Sequence, residues 1–256
     1  MDLRVEPWQR PAHHATGREA VAMLVAFAGD DVLTELALAG TVPETAPVDA
    51  LNVHLHRYAE EPEWIDGFRT GPLRDLAAQQ LPDLRPLDEA TCCYTIRVAV
   101  QDPPDLAHLQ LAWQVAASVA RAGAVAVLDV YAHDWFPGEA VAALDAHRPF
   151  VPMREISVVA EAESVPGFGH PVHTRGMIKF GRPDLVIGVP EDQIGDAATI
   201  LNQLGRMLAE GEVLEPGQDL RVEGKRVLTV VPYRPGGRIP DVALIDDGLL
   251  IVDAAS

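Results

Sequence analysis

The chain of 256 residues is 48% hydrophobic, 23% charged and 5% aromatic, which supports one large globular domain or two small ones and excludes a disordered or fibrous chain. Thirty-eight acidic against 20 basic residues give a formal charge of −18, so a phosphate backbone meets mainly repulsion and nucleic acid is not an expected partner. Cys92 and Cys93 are neighbours, no apolar signal core opens the sequence, and no run approaches the roughly 20 apolar residues of a membrane span. A reducing, cytoplasmic setting without a membrane is expected.

Residues 1–90 are broken by eight prolines, which predicts an irregular N-terminal region of short elements packed on a main α+β domain at 91–256. Within Arg18–Leu38 the apolar clusters AVAMLVAFA and VLTELALA flank Gly29-Asp30-Asp31 and read as two short helices, the second capped by an aspartate. Asn52 to Tyr58 alternates Asn52, His54, His56 and Tyr58 with Val53, Leu55 and Arg57, a period of two that predicts a strand at an edge or facing a cleft.

From residue 91 the pattern is regular. Thr91–Val100 is a predicted strand that ends at Asp102-Pro103-Pro104, where an aspartate cap and a proline open a helix. Leu106, Leu109, Trp113, Ala116 and Ala120 recur along that helix at spacings of three and four, and Gly123 ends it before the apolar strand Ala124–Val130. A short helix at Gly138–His147 and a strand at Arg154–Ala162 follow. Asp184–Val189, a helix over Glu191–Glu210 stopped by Gly211, and the strand Arg226–Val231 repeat the β-α-β order. Val242–Ile245 and Leu249–Val252 flank Asp246-Asp247-Gly248 as a predicted hairpin. Together these predict a split-βαβ, ferredoxin-like sheet with insertions and extra C-terminal antiparallel strands.

Gly167–Val189 interleaves turn residues with two histidines and three cations. Arg175, Lys179 and Arg182 stand at i, i+4 and i+7, so a helical turn would align them to hold a phosphate or carboxylate. The plainer reading is ordinary ion pairing within an acidic protein. His170 and His173 are three apart with Pro171 between them, unlike the i, i+4 pair of a zinc helix, and an extended strand would turn them to opposite faces. His54 and His56 share a strand face and suit a metal better, but the third donor would have to come from distant positions such as Asp129 or His133. His133-Asp134 lie just past an apolar strand, where a histidine–carboxylate pair can orient a general base, although no G-x-S-x-G nucleophile elbow is present. Cys92 and Cys93 read as small strand hydrophobes, and no glycine-rich phosphate fingerprint or cofactor motif occurs.

The segment Thr174-Arg-Gly-Met-Ile-Lys-Phe-Gly-Arg-Pro-Asp-Leu185, followed by a strand and the helix Ala197–Asn202, resembles bacterial domain-of-unknown-function family 4261, with a likeness that covers roughly residues 92–232. The resemblance implies an α+β fold and a bacterial cytoplasmic setting and supplies no catalytic residue. Gly176, Gly181 and Pro183 also have a structural explanation as turn formers and the start of an edge strand over a packed Met177 and Phe180. The leading expectation is therefore a non-catalytic binding protein without a cofactor. Its acidic surface would meet a protein partner or a second copy, and a loop at 167–184 would recognise a small anionic group. The alternative is a hydrolase or transferase whose cleft is lined by His133, Asp134, His170, His173 and Arg175.

Overall fold

The computed structural model describes residues 4–32, 38–221, 227–242, 245 and 248–253. The chain is α+β and divides into two compact units, Met1–Gln9 with Glu19–Phe150 and Arg10–Arg18 with Val151–Ser256. The boundary falls at residue 150 rather than near 90, because strands from the N-terminal region are built into the first sheet.

The first unit contains β1 (Glu19–Ala28), β2 (Leu51–Arg57), α1 (Pro62–Arg69), α2 (Gly71–Gln80), α3 (Arg85–Asp88), β3 (Cys92–Gln101), α4 (Ala107–Ala122), β4 (Ala126–Asp129), β5 (Asp134–Pro137) and α5 (Gly138–Ala142). Its sheet has the order β2-β3-β1-β4-β5. The helix expected over the first apolar cluster is instead β1, which lies at the centre of that sheet, antiparallel to both β3 and β4. Ala20, Ala22, Ala26 and Ala28 alternate with Val21, Met23, Val25 and Phe27, with Leu24 the one large side chain on the alanine face, and a strand buried on both faces can use such a division into mostly small and large side chains. The second expected helix lies mostly outside the described residues. β3, α4 and β4 connect two parallel strands with β1 between them, an arrangement compatible with a split β-α-β unit. Asp105 Oδ1, rather than Asp102, accepts the Ala107 amide at the start of α4. Val25, Phe27, Cys93, Ala126, Leu128 and Trp135 form one core with Ile65 of α1 and Ala77 of α2, so these short helices cover one face of the sheet. Cys92 and Cys93 are buried free thiols, and burial pushes Cys93 up to about 12, far from a reactive thiolate.

The second unit contains β6 (Ser157–Ala160), β7 (His170–Arg175), β8 (Asp184–Val189), α6 (Ile194–Ala209), β9 (Asp219–Arg221), β10 (Val227–Pro232) and β11 (Gly248–Asp253), in the sheet order β6-β7-β8-β11-β10-β9. β7 falls where sequence alone predicted loop and helical turn. β8 is flanked by β7 and β11, so Pro183 opens an interior strand rather than an edge strand. The strand parallel to β8 is β11; β10 runs antiparallel to β11, so the second predicted β-α-β unit closes on the last strand after a β9–β10 hairpin. Asp246 and Asp247 of the predicted final hairpin lie outside the described residues. Ala197, Leu201, Leu204 and Leu208 form the buried stripe of α6. No helix among the described residues is long and apolar enough to cross a membrane.

Candidate metal centre

β2 is an edge strand with β3 on its one paired side. Its period-two geometry puts His54 and His56 on the same face as their cross-strand partners Thr95 and Cys93. Past Arg57 the chain reverses tightly, because the amides of Glu60 and Glu61 both donate to the Arg57 carbonyl at 2.9 and 2.8 Å. Pro62 then begins α1 at a position that needs no amide hydrogen. Glu61 therefore stands at the helix entrance, and its carboxylate turns back to form a hydrogen bond with His56 Nδ1. That bond holds the Glu61 carboxyl below its ordinary value and keeps it a charged acceptor.

One ligand atom from each of His54, His56 and Glu61 lies within 4.8 Å of the other two. Donors about 2.1 Å from a tetrahedral ion stand roughly 3.4 Å apart, so small side-chain rotations bring the three into range. Aromatic stacking fixes the inner histidine. The His56 ring lies 4.9 Å from the Trp64 ring at 24°, Trp64 meets Phe68 edge-on at 5.4 Å, and Phe68 meets the core residue Phe27 at 6.5 Å. His54 meets His56 edge-on at 4.4 Å. The site thus has an anchored side at His56, whose side chain is 11% exposed, and an open side at Glu61, whose side chain is 46% exposed.

The third donor, Glu61, is absent from the sequence-based set, which looked to Asp129 and His133. Asp129 Oδ1 is engaged with the amides of Tyr131 and Ala132, each at 3.1 Å. His133 adopts a left-handed φ of 59° in the β4–β5 turn, and Asp134 accepts a hydrogen bond from Gln80 Nε2 at 3.2 Å. These two residues form a hairpin corner, not the strand-to-helix crevice that would present a general base.

In the second unit His170, His173 and Arg175 gather on one residue, Glu161. His170 Nδ1 lies 3.2 Å from its carbonyl, His173 Nε2 lies 3.0 Å from its carboxylate, and Arg175 Nη2 lies 3.8 Å from the same carboxylate oxygen. The His173 side chain is fully buried, and desolvation pushes its pKa down in spite of Glu161. The alignment of Arg175, Lys179 and Arg182 on one helix does not occur. Gly176 and Gly181, at φ 99° and 60°, bracket a single 3-10 turn over Met177–Phe180 and break any continuous helix between β7 and β8. Lys179 is buried against Glu155 at 3.4 Å. Arg182 donates to the carbonyls of His14, Gly181, Gly211 and Glu212 and to the Thr16 hydroxyl. Two of the three cations are thus engaged in holding the unit together. No family model, curated protein or solved structure matches the chain.

Proposed function

We propose that the chain is a non-catalytic binding protein and that the β2–α1 corner takes up a divalent late first-row transition-metal ion, with Zn2+ best suited to its two imidazoles and one carboxylate. The observation that carries this reading is the mutual approach of the three donor atoms within 4.8 Å. Imidazole nitrogen favours zinc, copper, nickel and iron over magnesium or calcium, which prefer all-oxygen sites. The formal charge of −18 raises the local concentration of cations around the protein, in the direction such a site needs. Against the hydrolase or transferase alternative, His133 and Asp134 form a hairpin corner and His173 is engaged with Glu161, so neither group is presented as a general base within its own unit. The family-4261 likeness adds no activity to this reading.

Isothermal titration of the chelator-treated full chain with ZnCl2 tests the proposal. One ion per chain is expected, with affinity weakened about tenfold or more by His56→Ala or Glu61→Ala and unchanged by His170→Ala. A wild-type chain that takes up no more zinc than the His54→Ala/His56→Ala double variant overturns it.

A further inference from the structure

We infer that the ion held by His54, His56 and Glu61 keeps one exchangeable position, and that a carboxylate group occupies it with the Thr95 hydroxyl as hydrogen-bond donor. The inference rests on the metal reading above. Late first-row ions take at least four ligands, and protein sites with three side-chain donors leave the fourth to water or to an incoming group. Among the described residues the cluster contains these three donors and no fourth histidine, cysteine or carboxylate.

Thr95 is a second and independent observation. It is the cross-strand partner of His54, and directly opposed residues in an antiparallel pair hold their Cβ atoms about 5 Å apart on one face. Thr95 is 9% exposed, and its Oγ1 has no hydrogen-bond partner among the described residues. A buried hydroxyl is normally satisfied, because leaving it dry forfeits the hydrogen bond it made with water. A ligand oxygen on the ion, beside His54, would satisfy it.

Charge selects the ligand class. Two neutral imidazoles and one carboxylate leave a divalent ion with one net positive charge, which an anionic oxygen donor neutralises. The rest of this acidic chain offers an anion little attraction, and the cations of 167–184 are turned inward. Anion recognition, expected at that loop, moves to the metal. The carboxylate can come from a free small acid or from an acidic polypeptide side chain, and the chemistry at the ion is the same.

Cobalt(II) supplies the readout, because its visible absorption responds to a change of ligand. The full chain is loaded with Co2+ and titrated separately with sodium acetate and with a hexa-aspartate peptide. Acetate is expected to shift the visible bands to saturation. Thr95→Val should raise the acetate midpoint about threefold to tenfold without changing cobalt affinity, and Thr95→Ser should restore it. If the peptide saturates at a far lower carboxylate concentration than acetate, the source is a polypeptide; equal midpoints per carboxylate indicate a free acid. Stoichiometric cobalt with bands insensitive to both, or a Thr95→Val midpoint equal to wild type, overturns this inference alone. Failure to take up cobalt overturns the metal reading together with it.

Discussion

Two histidine- and charge-rich regions of this chain have opposite fates. At the β2–α1 corner, two imidazoles and a carboxylate converge on an edge strand, with His54 and Glu61 open to solvent and only His56 locked by Trp64. At 167–184 the polar groups are more numerous, yet they face inward: Lys179 onto Glu155, Arg182 onto backbone carbonyls, and Thr174 onto Asp184. The contrast shows that density of charged residues is a poor guide to a site. Groups whose hydrogen-bonding capacity is consumed inside the fold hold elements together, whereas groups with capacity left over at an accessible edge can take a ligand.

The contrast breaks most visibly by removing the buried lysine. Lys179→Ala removes the ammonium that meets Glu155, itself almost fully buried, and losses of about 3–5 kcal/mol are expected for breaking such a buried pair. Chemical denaturation should show that loss while zinc titration at the other unit stays as in wild type. Replacing both partners, by Lys179→Met with Glu155→Leu, should recover most of the stability, since the desolvation cost of both charges disappears. A Lys179→Ala loss under about 1 kcal/mol would show that this loop is not the inward-facing framework described above.

A smaller effect is read by pH. Asp184 is partly exposed as a residue, but its carboxyl is enclosed by the Thr174 hydroxyl at 2.8 Å and the Met177 amide at 3.3 Å. Desolvation outweighs these bonds and pushes its pKa up to about 6 from 3.8. The folded state therefore holds the proton more tightly than the unfolded state. This contribution to stability is full below pH 3.8 and is lost as pH rises through about 6. Asp184→Asn keeps an oxygen acceptor for Thr174 and removes the ionisation. The variant should match wild type near pH 4 and exceed it by about 1–3 kcal/mol at pH 7.5. A stability difference independent of pH would contradict the raised pKa.

How much of this was legible in the sequence follows from which periods were unambiguous. β3, α4 and β4 have clear strand and helix periods and a glycine stop, and β2 shows its alternation directly. β1 was missed because an unbroken apolar run of nine residues, Ala20–Ala28, suits a buried helix or a buried strand equally; the alternation of alanine with valine, methionine and phenylalanine, broken only at Leu24, was the available signal. The His54–His56 pair was legible from a period of two. Glu61 was not, because its approach to His56 depends on both the Glu60 and the Glu61 amides closing onto the Arg57 carbonyl. The i, i+4, i+7 spacing of Arg175, Lys179 and Arg182 misled because spacing implies proximity only on a continuous helix, and two left-handed glycines interrupt this one. Glu155, the partner that buries Lys179, lies 24 residues upstream, beyond the reach of any local pattern.

The smallest expected effect tests the open side of the comparison. His54 is exposed on an edge strand and meets the aromatic ladder of Trp64, Phe68 and Phe27 only at its open end, edge-on through His56. His54→Ala should therefore change metal-free stability by no more than about 0.5 kcal/mol. The difference should emerge only with the ion. Zinc at about 100 times its dissociation constant stabilises a binding chain by about 2.7 kcal/mol, provided the unfolded chain does not bind it, and the His54→Ala chain should lose most of that gain. Thermal melts of both proteins, with and without zinc, separate the two terms. A metal-free loss above about 1.5 kcal/mol would place His54 among the framework residues, on the same footing as Lys179, and would remove the distinction between the two regions.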